Sequence, residues 1–160
     1  MYRIWAPWRK QYLQNCNDTG CFLCEILNSD DDKKNLVLYR TPSVYVVMNK
    51  YPYTNGHMMV VPSLHTGSLS DLPSEIRGEC FEMTNQAALW LTKALHPQGF
   101  NIGMNLGKVA GAGLESHLHI HIVPRWAGDA NFMTTIHQTR VISESLEDTY
   151  KHIIEVIQKE

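Results

Sequence analysis

The segment His117-Leu118-His119-Ile120-His121-Ile122-Val123-Pro124-Arg125 constrains this chain more than any other. Side chains on a strand alternate between faces. His117, His119 and His121 then line one face, and Leu118, Ile120 and Ile122 the other. The apolar face can enter a core. The histidine face must meet solvent, a ligand or a metal, because three buried imidazoles need many polar partners. One metal ion cannot hold all three on a regular strand. His117 and His121 would stand roughly 13 Å apart at about 3.3 Å per residue, and a zinc–nitrogen bond is only about 2.0–2.1 Å. A second reading divides the labour. The middle imidazole is a nucleophile, and its neighbours donate hydrogen bonds or bind a structural metal. Neutral imidazole is nucleophilic near pH 7. The electrophile it commonly serves is phosphorus, where catalysis is mostly positioning and charge stabilisation.

The rest of the composition sets bounds. The chain has 160 residues, 44% hydrophobic and 19% charged. That is one globular domain with a core of its own. We expect residues 1–160 to form this domain, with residues 1–20 as an arm that packs through its Trp and Tyr side chains. A net charge of −2 argues against a surface built to grip a nucleic-acid duplex. No run approaches the ~18 apolar residues of a membrane span, and the N-terminus lacks the apolar run of a signal peptide. A cytoplasmic location is expected, with reduced thiols.

Along the chain, residues 36–39, 44–48, 57–61, 100–105 and 117–123 read as strands, the third stopped by Pro62 and the fifth by Pro124. Residues 28–34 read as a polar loop. Ser70 or Asp71 is expected to cap a helix with Pro73 in its first turn. Ile76, Cys80, Met83, Ala87, Leu91 and Leu95 recur at its helical spacing. Leu146, Tyr150, Ile153, Ile154 and Ile157 mark a C-terminal amphipathic helix. Strands and helices do not alternate regularly, which favours an α+β fold on an antiparallel sheet of about five strands.

At the histidine strand the sequence resembles the histidine-triad (HIT) family of nucleotide hydrolases and transferases. The family's signature is His-φ-His-φ-His-φ-φ, with φ apolar, and residues 117–123 match it throughout. Gly56-His57-Met58-Met59-Val60-Val61-Pro62 resembles the upstream strand with the family's fourth active-site histidine. Phe100-Asn101-Ile102-Gly103-Met104-Asn105 resembles its phosphate- and ribose-facing strand. Trp5-Ala6-Pro7-Trp8-Arg9, Tyr51-Pro52-Tyr53 and Pro124-Arg125-Trp126 resemble a bacterial branch that includes diadenosine tetraphosphate phosphorylases.

The resemblance implies a HIT-like fold and a two-step nucleotidyl transfer. His119 would attack the α-phosphorus, and water or inorganic phosphate would release the nucleotide. His121 and His57 would donate hydrogen bonds. Asn105 and the backbone of Ala112 and Gly113 would hold phosphate, and Asn49 would contact ribose. In the loop Gly111-Ala112-Gly113-Leu114-Glu115-Ser116 the Gln of the hydrolases is missing, and Gly113 stands where a phosphorylase would carry Ser. The final acceptor therefore stays open. The family also implies a homodimer and a small-molecule nucleotide substrate.

Cys21-x-x-Cys24 alone reads as redox, metal-binding or accidental. A structural zinc needs four ligands, and His65 and His117 are the best-placed partners. Zinc-bearing HIT proteins and the related galactose-1-phosphate uridylyltransferases use the same arrangement. Cys80 reads as core. His96 sits near a helix C-terminus, and His137 and His152 read as surface. Three other functions compete with polyphosphate cleavage: phosphoramidate hydrolysis, a non-catalytic nucleotide-binding scaffold, and a catalytic-zinc hydrolase.

Overall fold

The computed structural model describes residues 20–129, 142 and 144–160. The expected arm, Cys16 and His137 lie outside the described residues. The elements run α1 (Phe22–Leu27), α2 (Asp32–Asn35), β1 (Val37–Arg40), β2 (Val44–Met48), β3 (Met58–Pro62), α3 (Ser74–Leu95), β4 (Gly99–Gly103), β5 (Ile120–Arg125) and α4 (Leu146–Ile157). The five strands form one antiparallel sheet in the order β1-β2-β3-β5-β4. This is the α+β architecture the sequence predicts.

Two buried clusters sandwich the sheet. On one face Val44, Val46, Met48, Met58, Val60 and Ile122 pack against Cys80, Ala87, Trp90 and Leu91 of α3 and Ile153 of α4. All the apolar positions predicted to line the two helices pack there. On the other face Tyr45, Val47, Met59 and Val61 receive Leu23 and Ile26 of α1. Both faces of β2 and β3 are therefore covered, and all five positions of each are buried. Such strands read as continuous apolar runs rather than alternating ones.

Several boundaries differ from expectation. Residues 28–34 include the start of the short helix α2, because the Asp31 carboxylate accepts the Lys34 N–H and caps it. Ser70 and Asp71 belong to a separate 3₁₀ turn, and α3 begins after Pro73, its N-cap. The strand at 100–105 spans Gly99–Gly103.

The fifth strand begins at Ile120 and runs through Pro124 to Arg125. Pro124 is tolerated because its carbonyl faces away from β4 and accepts the Thr54 hydroxyl at 3.0 Å. The missing N–H shares that side, where pairing with β3 has ended at Ile122. The segment before Ile120 is held by other bonds: the Leu118 N–H donates to the Thr66 carbonyl at 2.7 Å.

Two glycines shape the turns around the histidines. Gly56 has φ +72°, and a Cβ there would meet Leu95 at 2.5 Å. A Cβ on Gly67 would lie 2.2 Å from the Glu115 carbonyl oxygen. That close approach locks the loop after β3 onto the segment leading into His117.

Candidate active site and metal centre

The alternation of β5 and its approach segment puts His117, His119 and His121 on the sheet face opposite Ile120 and Ile122, and each imidazole meets a different environment. His117 is fully buried. Its Nε2 donates to the Pro62 carbonyl at 2.8 Å, leaving Nδ1 with a lone pair. That Nδ1 lies 3.2 Å from Cys21 Sγ and 3.5 Å from Cys24 Sγ. Cys24 Sγ is also 3.2 Å from His65 Nδ1. One donor atom from each of the four residues falls within 4.8 Å of all the others.

This cluster fits a metal ion. Two sulfurs and two imidazole nitrogens around one centre match a tetrahedral structural site. The His117–Pro62 hydrogen bond supplies the outer contact that fixes a ligating ring. Burial and then the neighbouring Cys21 hold the Cys24 thiol above its usual range. Two adjacent thiols resist becoming two thiolates unless a cation joins them.

His119 is 8% exposed. Its Nδ1 lies 2.9 Å from the His117 carbonyl, which can only accept. The ring proton therefore sits on Nδ1, and Nε2 keeps a free lone pair. His121 is reached through a relay. The Tyr53 backbone N–H donates to His57 Nδ1 at 3.1 Å, so His57 carries its proton on Nε2. That Nε2–H donates to His121 Nδ1 at 2.9 Å. The His121 proton is thereby placed on Nε2. Adjacent rings thus present an electron pair and an N–H, with centroids 4.9 Å apart and planes at 83°.

The same surroundings keep the relay neutral. Burial, reinforced by His121 and His119, pushes His57 down to about 3. Burial and then His119 push His121 down to about 4. Both rings are uncharged at pH 7, as the tautomers require.

A cavity of about 500 Å³ opens beside His121, over β4 and β5. Antiparallel register sets Gly103 directly opposite His121 and Asn101 opposite Val123. Tyr53 stacks on His57 with centroids 4.6 Å apart and also lines the cavity. Local spacing gives Tyr53, Asn101 and Gly103 no role, although the family resemblance covers their segments; strand pairing brings Gly103 and Asn101 to the site, and the loop between β2 and β3 brings Tyr53. Asn105 lines the cavity and donates to the Gly111 carbonyl at 3.4 Å, tethering the loop 107–113. Within that loop the Ala112 N–H closes a turn onto the Gly107 carbonyl at 3.3 Å, and Gly113 is exposed. Asn49 stands just past β2, where its Oδ1 accepts the Tyr51 N–H at 2.8 Å and its backbone N–H donates to the His57 carbonyl at 2.9 Å.

Cys80 is buried in the α3 core, and burial pushes its thiol up to about 11. His96 caps the C-terminus of α3, and His152 is an exposed partner of Glu144.

Fold and site together define a histidine-triad protein. The HIT domain profile matches residues 31–128, more than half of the chain, and the chain belongs to that family. Among characterised relatives it is 39% identical over 157 residues to an AP-4-A phosphorylase of Mycobacterium tuberculosis, covering 93% of this chain and 80% of that one. It is 27% identical over 108 residues to an adenosine 5'-monophosphoramidase of Saccharomyces cerevisiae, covering 68% of this chain and 64% of that one. Among solved structures it resembles a zinc-bound histidine triad family protein from Mycobacterium smegmatis, with TM-score 0.71 and 27% identity, covering 88% of this chain and 94% of that one.

Proposed function

We propose that this chain cleaves dinucleoside polyphosphates such as diadenosine tetraphosphate through a nucleotidyl-histidine on His119. The observation that carries this reading is the hydrogen-bond pattern of the two rings: His119 Nδ1 meets the His117 carbonyl and His121 Nδ1 meets the His57 Nε2–H, which turns His119 Nε2 and the His121 Nε2–H toward the reacting group. His119 Nε2 attacks the α-phosphorus. A P–N bond forms as the P–O bond to the departing nucleoside polyphosphate breaks. The His121 N–H bonds to the oxygen on which charge develops, a preorganised donor of the kind that dominates such catalysis. His57 acts through His121, by holding its tautomer. Asn105 and the Gly113 amide steady the phosphate, the Ala112 N–H being turned onto the Gly107 carbonyl, and Asn49 contacts the ribose.

In the second step an oxygen of water or inorganic phosphate attacks the same phosphorus, and His119 leaves with its lone pair restored. Water gives AMP and ATP; phosphate gives ADP and ATP. The similarity to a phosphorylase favours phosphate. Incubation with diadenosine tetraphosphate, with and without phosphate, distinguishes the two by product. No turnover of any nucleotide with binding intact would instead indicate a scaffold.

Zinc is the metal we assign to Cys21, Cys24, His65 and His117. Bound there, it supplies structural cross-linking of α1 to the approach to β5, and no Lewis acid at phosphorus. The donor set and the zinc-bound relative support this. We read the active form as a homodimer. Among the described residues β4 is a sheet edge paired only with β5; its Ile102 is 50% exposed, and Phe81 of α3, which shares a groove with Met104 just past β4, is 73% exposed. The reduced thiols of the metal cluster suit the cytoplasm.

A further inference from the structure

Arg125 lines the cavity beside His121, four residues along β5. We propose that Arg125 is a specificity-determining residue, held by Asp129 and Asn101 so that it binds the phosphates of the departing nucleoside polyphosphate. This rests on the functional reading above and sharpens it: the enzyme selects its substrate by the leaving group as well as by the transferred nucleotide.

Three observations carry the inference. First, the guanidinium is fixed. Its Nε and Nη2 donate to the two carboxylate oxygens of Asp129 at 2.5 and 2.9 Å, and Nη1 donates to Asn101 Oδ1 at 2.6 Å. A guanidinium carries five N–H donors, and these contacts take three of them. A planar fork already ordered loses little entropy on binding phosphate.

Second, the cavity runs along the strand toward Arg125. His117 is fully buried beside Cys21, Cys24 and His65 and does not line it. From Asn105 and Gly103, opposite His121, the cavity continues past Asn101 and Val123 to Arg125. A leaving group that departs from the phosphorus on His119 past His121 enters that space.

Third, the reach suits a polyphosphate. His121 and Arg125 are four strand residues apart, on one face, at about 13 Å. That is far too long for a lone amine leaving group. Tyr53, 51% exposed, forms a side wall of the same space.

The competing account makes Arg125 a staple that fastens the turn at residues 126–129 to β5. The two accounts separate on paired substrates that deliver the same adenylyl group. Diadenosine tetraphosphate has a polyphosphate leaving group; adenosine 5'-phosphoramidate has an amine. With Arg125→Gln, kcat/KM for the tetraphosphate should fall roughly 10–100-fold relative to the amidate, the range expected for a lost charge-assisted hydrogen bond. An unchanged ratio, with both falling alike or neither moving, overturns the proposal. Arg125→Lys keeps the charge and loses the fork. It should give an intermediate ratio, and it decides the matter if the Gln variant fails to fold: an unchanged ratio in it also overturns the proposal. On the unaltered chain, ATP should compete at least about tenfold better than AMP; equal competition contradicts a phosphate-reading residue. Failure of the parent reading looks different, because the unaltered chain would then leave diadenosine tetraphosphate uncleaved, whether or not it cleaves the amidate, and the proposal falls with it.

Discussion

At the residue scale, the hydrogen bonds of each ring set what each histidine can do. In the proposed mechanism four imidazoles of one chemistry serve as a metal ligand, a nucleophile, a donor and a positioning group. His119→Ala should reduce turnover by roughly 10³-fold or more while leaving zinc per chain unchanged by elemental analysis. His121→Ala removes only a donor and should cost about 10²–10⁴-fold. A pH dependence of stability follows from the relay. His57 and His121 are held down to about 3 and about 4 when folded, whereas an unfolded histidine titrates near 6.5. Between about pH 6.5 and 4 the unfolded chain binds protons that the folded chain refuses, so stability falls as pH falls. The slope is up to roughly 1.4 kcal/mol per pH unit for each ring. Denaturant midpoints measured at pH 7 and pH 5 check this, and a His57→Gln variant should show a shallower loss.

At the scale of elements, the sheet and the two long helices were legible because their apolar periods are long. The helical spacing from Ile76 to Leu95 and from Leu146 to Ile157 maps directly onto the core. The ends were less legible. Pro124 reads as a stop, yet it sits inside β5 because its missing N–H faces the loop carrying Thr54. The acidic stretch reads as a loop, yet a single Asp31 cap turns part of it helical. The metal cluster was legible as residue types, but only folding brings α1 against the loop after β3.

That helix has anchors of its own. The Tyr45 hydroxyl donates to the Leu23 carbonyl at 2.8 Å. The Arg40 guanidinium bonds the carbonyls of Ile26, Leu27 and Ser29 at its C-terminal end. Two substitutions test the elements separately. Gly67→Ala sets a Cβ against the Glu115 carbonyl. It should destabilise the chain by about 1–3 kcal/mol and lower zinc content, because the same loop carries His65. Gly103→Val places its side chain where a Cβ meets no atom within 4 Å. It should leave the melting temperature essentially unchanged while raising KM, because the cavity floor is filled.

At the scale of the whole molecule, the sheet divides by task. β2 and β3 are buried on both faces and carry the core, with β1 half-exposed beside them. β5 and β4 expose one face to the cavity and, among the described residues, leave an edge free for a second copy. Sedimentation should show a dimer at micromolar concentration, and Phe81→Asp should shift it toward monomer; a wild-type monomer contradicts the assignment. Strand pairing, and for Tyr53 the loop between β2 and β3, explains what sequence spacing hides. Asn101, Gly103 and Tyr53 reach His121 from other segments, whereas the three triad histidines announce themselves by alternation alone.

The account stands or falls on the covalent step at His119. The stereochemical course at the α-phosphorus tests it without requiring the intermediate to accumulate. A dinucleoside polyphosphate made chiral at that phosphorus by sulfur substitution is turned over with isotopically labelled acceptor. The configuration of the released nucleotide is then read. Two in-line displacements, onto His119 and off it, predict net retention. Net inversion would mean that the acceptor attacks the substrate directly, and that His119 is not the nucleophile.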